Sequence, residues 1–111
     1  MLKTVLKEFL LIEGVNTVAI IGLDGFVIDY AQRGATIDID ALGALCASEM
    51  RFFASNAGSL KQMILEYEEG AFIFIPITKD EFLAIITDST AGVGRLNYTL
   101  PKISSRIAAV I

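Results

Sequence analysis

A chain of 111 residues, 54% apolar and 20% charged, with a net charge of −4, has the size of one domain, and residues 1–111 read as a single unit. Its nine Lys and Arg are scattered and its pI is near 4.6, which excludes the clustered basic face that nucleic acid requires. The longest clean apolar run, the seven residues Ala71 to Ile77, falls far short of the roughly 20 a membrane-spanning helix needs.

The first element is a helix over 2–13. Leu2, Val5, Leu6, Phe9 and Ile12 share one stripe, and Gly14 stands where the helix should stop. Lys3, Lys7, Glu8 and Glu13 interrupt the apolar residues and no small-residue cleavage site follows, so this segment reads as part of the fold rather than a signal peptide. Strands are predicted at 16–23 and 26–32. Asp24-Gly25 between them is the strongest short hairpin signal available, because both turn residues can take positive φ.

A second helix spans 39–57, with Asp38 as cap, Asp40 in the first turn and Gly58 as stop. Its main core face is expected to be Ile39, Leu42, Leu45, Cys46, Met50 and Phe53. Opposite lies a stripe of small residues, Ala41, Ala44, Ala47 or Ser48, and Ser55, with Arg51 and Phe52 beside it. Alanine is a good helix former, which would explain part of the stripe. A helix apolar or small nearly all round is normally buried on two sides, and a partner subunit would supply the second.

Three strands follow at 60–68, 71–78 and 81–87, with turns at Glu69-Gly70 and Lys79-Asp80, so antiparallel pairing is expected. Pro76 lacks a ladder donor and belongs at a strand end or bulge. In the strand at 60–68, Leu60, Gln62, Ile64 and Glu66 alternate with Lys61, Met63, Leu65 and Tyr67, and both faces carry apolar residues. At a sheet edge such a strand would pair with another chain; an interior strand would look much the same. The last helix is placed at 91–109, after Asp88-Ser89-Thr90 and kinked at Pro101. The order α-β-β-α-β-β-β-α describes an α+β fold around a five-stranded antiparallel sheet. Its apolar fraction exceeds the roughly 45–50% of soluble domains, so a sizeable subunit interface is expected.

Chemistry is hard to find. With no histidine and one cysteine, there is no histidine triad and no zinc ligand set. The glycines form neither GxxxxGK[ST] nor GxGxxG. Cys46 reads as core, and it has no internal disulfide partner, which fits a reducing, cytoplasmic setting. Asp24, Asp29, Asp38 and Asp40 do not have calcium-loop spacing. Glu66, Glu68 and Glu69 read as a solvated tip. The expectation is a non-enzyme without metal or cofactor. A small-ligand sensor would need polar groups in its core, and none is evident.

The chain resembles the Roadblock/dynein light chain family. The resemblance rests on "VAIIGLDGFVIDYA" (18–31), "DIDALGALCASEMRFFASNAG" (38–58), "AFIFIPITKDEFLAIITD" (71–88) and "GVGRLNYTLPKISSRIAAVI" (92–111), in their order and spacing rather than in any one motif. It implies a longin- or profilin-like fold, with the central helix on one sheet face and the terminal helices on the other. It implies a homodimer through Lys61, Gln62, Met63, Ile64, Leu65, Glu66 and Tyr67 of the third strand and Ala41, Ala44 and Ser48 of the second helix. Arg51, Phe52 and Ser55 are the residues to test for partner contact. Prokaryotic MglB-like members bind a Ras-like GTPase and can promote hydrolysis, while eukaryotic relatives serve dynein or scaffold Rag-type GTPases. A GTPase regulator is therefore the leading expectation, with a motor or scaffold adaptor as the alternative. Because the sequence ends with its last helix, GTPase binding is expected more firmly than stimulated hydrolysis.

Overall fold

In the computed structural model, which describes residues 2–34, 37–58, 61–88, 102 and 105–109 (the side chains of 54 and 57 excepted), the elements are α1 (Leu2–Phe9), β1 (Val15–Gly22), β2 (Val27–Gln32), α2 (Ile39–Ala57), β3 (Met63–Tyr67), β4 (Gly70–Pro76) and β5 (Glu81–Thr87). The predicted helix at 91–109 lies largely outside the described residues, of which 102 and 105–109 are helical. The strands form one antiparallel sheet in the order β2-β1-β5-β4-β3. Strand β3 is thus an edge, and β2 is the other.

Two apolar layers sandwich this sheet. On one face Val5, Leu6 and Phe9 of α1, with Ile107 of the helical turn 105–109, bury Val18, Ile20, Ile73, Leu83 and Ile85. On the other, Leu42, Cys46, Ala47 and Met50 of α2 bury Ala19, Ile21, Phe74, Phe82, Ala84 and Ile86. Strand alternation sends successive residues of β1 and β5 to opposite layers. Both strands are buried nearly throughout because the layers cover both faces. The helical turn is tied to α1 by Arg106, whose guanidinium donates to both carboxylate oxygens of Glu8 (2.6 and 3.0 Å). That hydrogen bond holds the Glu8 carboxyl below its ordinary value.

Several boundaries differ from expectation for local reasons. Helix α1 ends at Phe9, four residues early: Leu10, Leu11 and Ile12 donate to Lys7, Glu8 and Phe9 carbonyls in tight i→i−3 turns, and Gly14 takes φ 89°. The β1–β2 turn uses positive φ only at Gly25 (φ 92°). Asp24 acts differently: its Oδ1 accepts from the Phe26 amide (3.0 Å), while Gly25 N–H donates to Gly22 O (2.9 Å). The β3–β4 turn is Glu68-Glu69, not Glu69-Gly70, and Gly70 is a buried strand residue. Pro76 closes β4, where it withholds no ladder donor from the strand's middle.

Helix α2 starts as expected, with Ala41 N–H donating to Asp38 Oδ1 (3.1 Å), and its C-cap Gly58 takes φ 86°. Loss of that capping oxygen in Asp38→Ala is expected to cost about 1 kcal/mol, read as a lower denaturation midpoint at unchanged m-value. A midpoint matching the unaltered chain would show the cap is not what starts the helix.

The core face of α2 is rotated from the predicted one. Ile39, Leu42, Cys46, Ala47 and Met50 are buried, whereas Leu45 is 60% exposed and Phe53 38%. Contact with the β1–β2 hairpin explains the rotation. A Cβ on Gly43 would sit 2.8 Å from Gly25 O and 3.2 Å from Val27 Cγ2. The helix therefore turns its small residues, Gly43 and Ala47, to the hairpin, and Leu45 swings outward. Arg51 fastens the same contact by donating to Leu23 O.

The core is also less purely aliphatic than expected. Thr17 and Thr87 are buried. Thr87 Oγ1 accepts from Ala71 N–H (3.0 Å), and Thr17 Oγ1 donates to Asn16 Oδ1 (2.8 Å). Each hydroxyl has a partner within the sheet. Cys46 is core as expected, its thiol pushed up to about 12 by burial and, secondarily, by Glu49, so it is a poor nucleophile.

Candidate functional site

Because α2 rests chiefly on β1 and β2, the β3–β4 side of that sheet face is only partly covered. Met63 and Leu65 are half-buried on the α2 side, and Ile64 faces the α1 layer instead. Between α2 and β3 runs an apolar groove of about 450 Å³ lined by Ser48, Glu49, Phe52, Phe53, Met63 and Leu65. Phe52 is 62% exposed, and its ring meets that of Phe53 edge-on at 5.5 Å. At the far end Tyr67 is exposed, with its ring 5.3 Å from Phe72.

The structure brings together two groups of residues far apart in sequence. Ser48 and Phe52 of the helix share the groove with Met63 and Leu65 of the edge strand. Ala41, Ala44, Ser48, Arg51, Phe52 and Ser55 all lie on the exposed side of α2, and Ala47 of the predicted stripe is core. Lys61 and Gln62 are exposed but precede β3 rather than forming part of it. Glu66, Glu68 and Glu69 are exposed at the strand end and turn, as a solvated tip should be.

Leu45 and Phe53 are the residues that sequence reasoning misplaced. Assigned to the core, they join Phe52 in exposing large apolar area on the helix. Helical spacing was the available signal: Leu45 and Phe52, seven residues apart, fall on one flank. Exposed apolar area continuous with an unpaired strand edge is the surface a protein partner covers. Arg51 is not a free cation in this arrangement, since Leu23 O engages it. Among the described residues no group of His, Cys, Asp and Glu could hold a metal ion, and no helix is long and apolar enough to cross a membrane.

The chain is similar to known proteins in sequence and in fold. An archaeal protein, MJ0310 of Methanocaldococcus jannaschii, is 26% identical over 115 residues, covering 99% of this chain and 99% of that protein. The gliding protein MglB of Thermus thermophilus superposes with a TM-score of 0.89 at 19% identity, over 98% of this chain and 87% of that one. Profilin II of Acanthamoeba castellanii superposes at 0.65 with 18% identity, over 97% and 94%. At such identities these superpositions establish the fold, an MglB- and profilin-like sheet. The profile of the Roadblock/LC7 domain matches residues 1–87, and the chain belongs to the Roadblock/LC7 domain family.

Proposed function

We propose that two copies of the chain join along their β3 edges, with the exposed faces of α2 brought together, and that the joined surface binds and regulates a small Ras-like GTPase. The observation that carries this reading is the unpaired β3 edge beside the apolar flank of α2, Leu45, Phe52 and Phe53. A two-fold copy would satisfy the open backbone and cover the groove at once. Family membership supports a regulator or adaptor rather than a catalyst, and the resemblance to MglB-like members points to the GTPase.

Regulation would come from selecting one arrangement of the GTPase switch loops, because a ligand shifts an equilibrium only by its differential affinity. An arginine finger is disfavoured. Arg51 is the one arginine of α2, and its guanidinium already holds the β1–β2 turn through Leu23 O. That engagement also favours the second reading, an adaptor that leaves hydrolysis alone.

The test is to titrate the chain against a purified Ras-like GTPase from the same cells, loaded with GDP or a GTP analogue. A regulator should bind one nucleotide state about tenfold or more tightly than the other. Arg51→Ala should leave hydrolysis per complex unchanged. Equal affinity for both states with unaltered hydrolysis would establish the adaptor, and absence of binding in either state would remove the GTPase reading.

A further inference from the structure

The sheet has two edges, and the chain treats them differently. Arg33 donates its amide to Asn16 O of β1 (2.8 Å), so by antiparallel alternation Tyr30 turns its own N–H and C=O away from β1, toward the open edge of β2. Both groups are already taken. Tyr30 N–H donates to Asp29 Oδ1 (2.8 Å), and Tyr30 O accepts from Lys3 Nζ of α1. The Lys3 ammonium stands 2.7 Å from the same Asp29 oxygen and 5.1 Å from the centroid of the Tyr30 ring. Burial pushes the Asp29 carboxyl up, but Lys3 and the Tyr30 amide outweigh it and hold the group below its ordinary value, so it stays ionised. On β3, by contrast, no side chain of the described residues up to 88 is bonded to the strand's backbone.

The difference matters because β2 is otherwise well suited to pairing. Ile28 and Tyr30 are 50% and 40% exposed along it, and Phe26, just before it, is 75% exposed. A chain with two joinable edges would not stop at a pair; copies would add end to end. A strand approaching β2 must first pull Lys3 from Asp29, leaving a carboxylate unpaired in the new interface, which is costly.

We infer that Lys3 and Asp29 lock the β2 edge against a second copy of this chain, so that the sheet grows only through β3 and assembly closes at the pair. The inference rests on the β3 reading for the closed pair, but the lock can be tested apart from it. Light scattering should be run on the full chain and on Lys3→Met/Asp29→Ala over a wide concentration range, with circular dichroism confirming the fold. The unaltered chain should keep one mass, while the doubly altered chain should grow with concentration into larger species. Adding Leu65→Lys to the double variant should cut those species back to pairs joined through β2. If the unaltered chain is a monomer, the β3 reading fails, and the lock then predicts that the double variant goes from monomer to dimer. A folded double variant with the unaltered chain's mass at every concentration overturns the lock. Amide exchange in the unaltered chain gives a second measurement: Tyr30 N–H should exchange at least about tenfold more slowly than the outward amide of Gln32. Equal rates would overturn the lock without any variant.

Discussion

Gly70→Ala should be among the most damaging single substitutions in this chain, costing about 3 kcal/mol or more. Gly70 opens β4 opposite Tyr67, and a Cβ built on it would lie 2.0 Å from Thr87 O and 3.1 Å from Thr87 C. Those are backbone atoms of β5, which is hydrogen-bonded on both sides, to β1 and β4. No rotamer change relieves the contact; the ladder between β4 and β5 must open. That ladder also carries the bond from Ala71 N–H to Thr87 Oγ1, so a buried hydroxyl loses its partner at the same time. For a domain of this length the loss corresponds to a melting temperature lower by roughly 15 °C or more. Gly34→Asn is the contrast: Gly34, unlike Gly70, takes positive φ, at 61°, but no described residue comes within 4 Å of its added Cβ, and asparagine tolerates that conformation, so a cost of about 0.5 kcal/mol or less is expected. Melting of Gly70→Ala within a few degrees of the unaltered chain would mean that β4 and β5 are not this close.

Gly70 also illustrates what the sequence concealed. A Glu-Gly pair between two apolar runs reads as a turn, because local signals attribute glycine to backbone conformation. Here glycine is required by a contact with Thr87, seventeen positions away, which no local pattern encodes. Features whose causes are local were legible: the Asp38 cap, the Gly58 stop and Pro76 at a strand end. The rotation of α2 was not, because it depends on how closely Gly43 approaches the turn at Gly25. The small-residue side of α2 was visible as a stripe, but its meeting with Met63 and Leu65 at one groove follows from strand order. Periodicity could not place β3 at the edge, since apolar residues on both its faces suit an interior strand equally well. The ring formed by Lys3, Asp29 and Tyr30 likewise joins elements whose proximity only the tertiary fold determines.

The β3 pairing makes the second large prediction, and two substitutions separate assembly from folding. Phe52 is 62% exposed in the single chain, so Phe52→Lys removes little from its core and should leave its melting nearly unchanged. Leu65 is half-buried in the groove on the α2 side of β3, so Leu65→Lys costs the single chain somewhat more but places an ammonium where the second copy would lie. In the pair, each change puts a desolvated charge against apolar surface, and the two-fold doubles the effect. Loss of one central aromatic contact costs about 2 kcal/mol or more, a weakening on the order of 30-fold. At low micromolar concentration the unaltered chain should therefore have twice the 12.0 kDa of one copy, and both variants should approach the single mass with their circular dichroism retained. Ile64→Lys provides the contrast: Ile64 packs into the α1 layer, so that change should lower stability directly, whatever the assembly does. If Phe52→Lys and Leu65→Lys both keep the doubled mass, the copies meet elsewhere, and the groove between α2 and β3 belongs to a different partner.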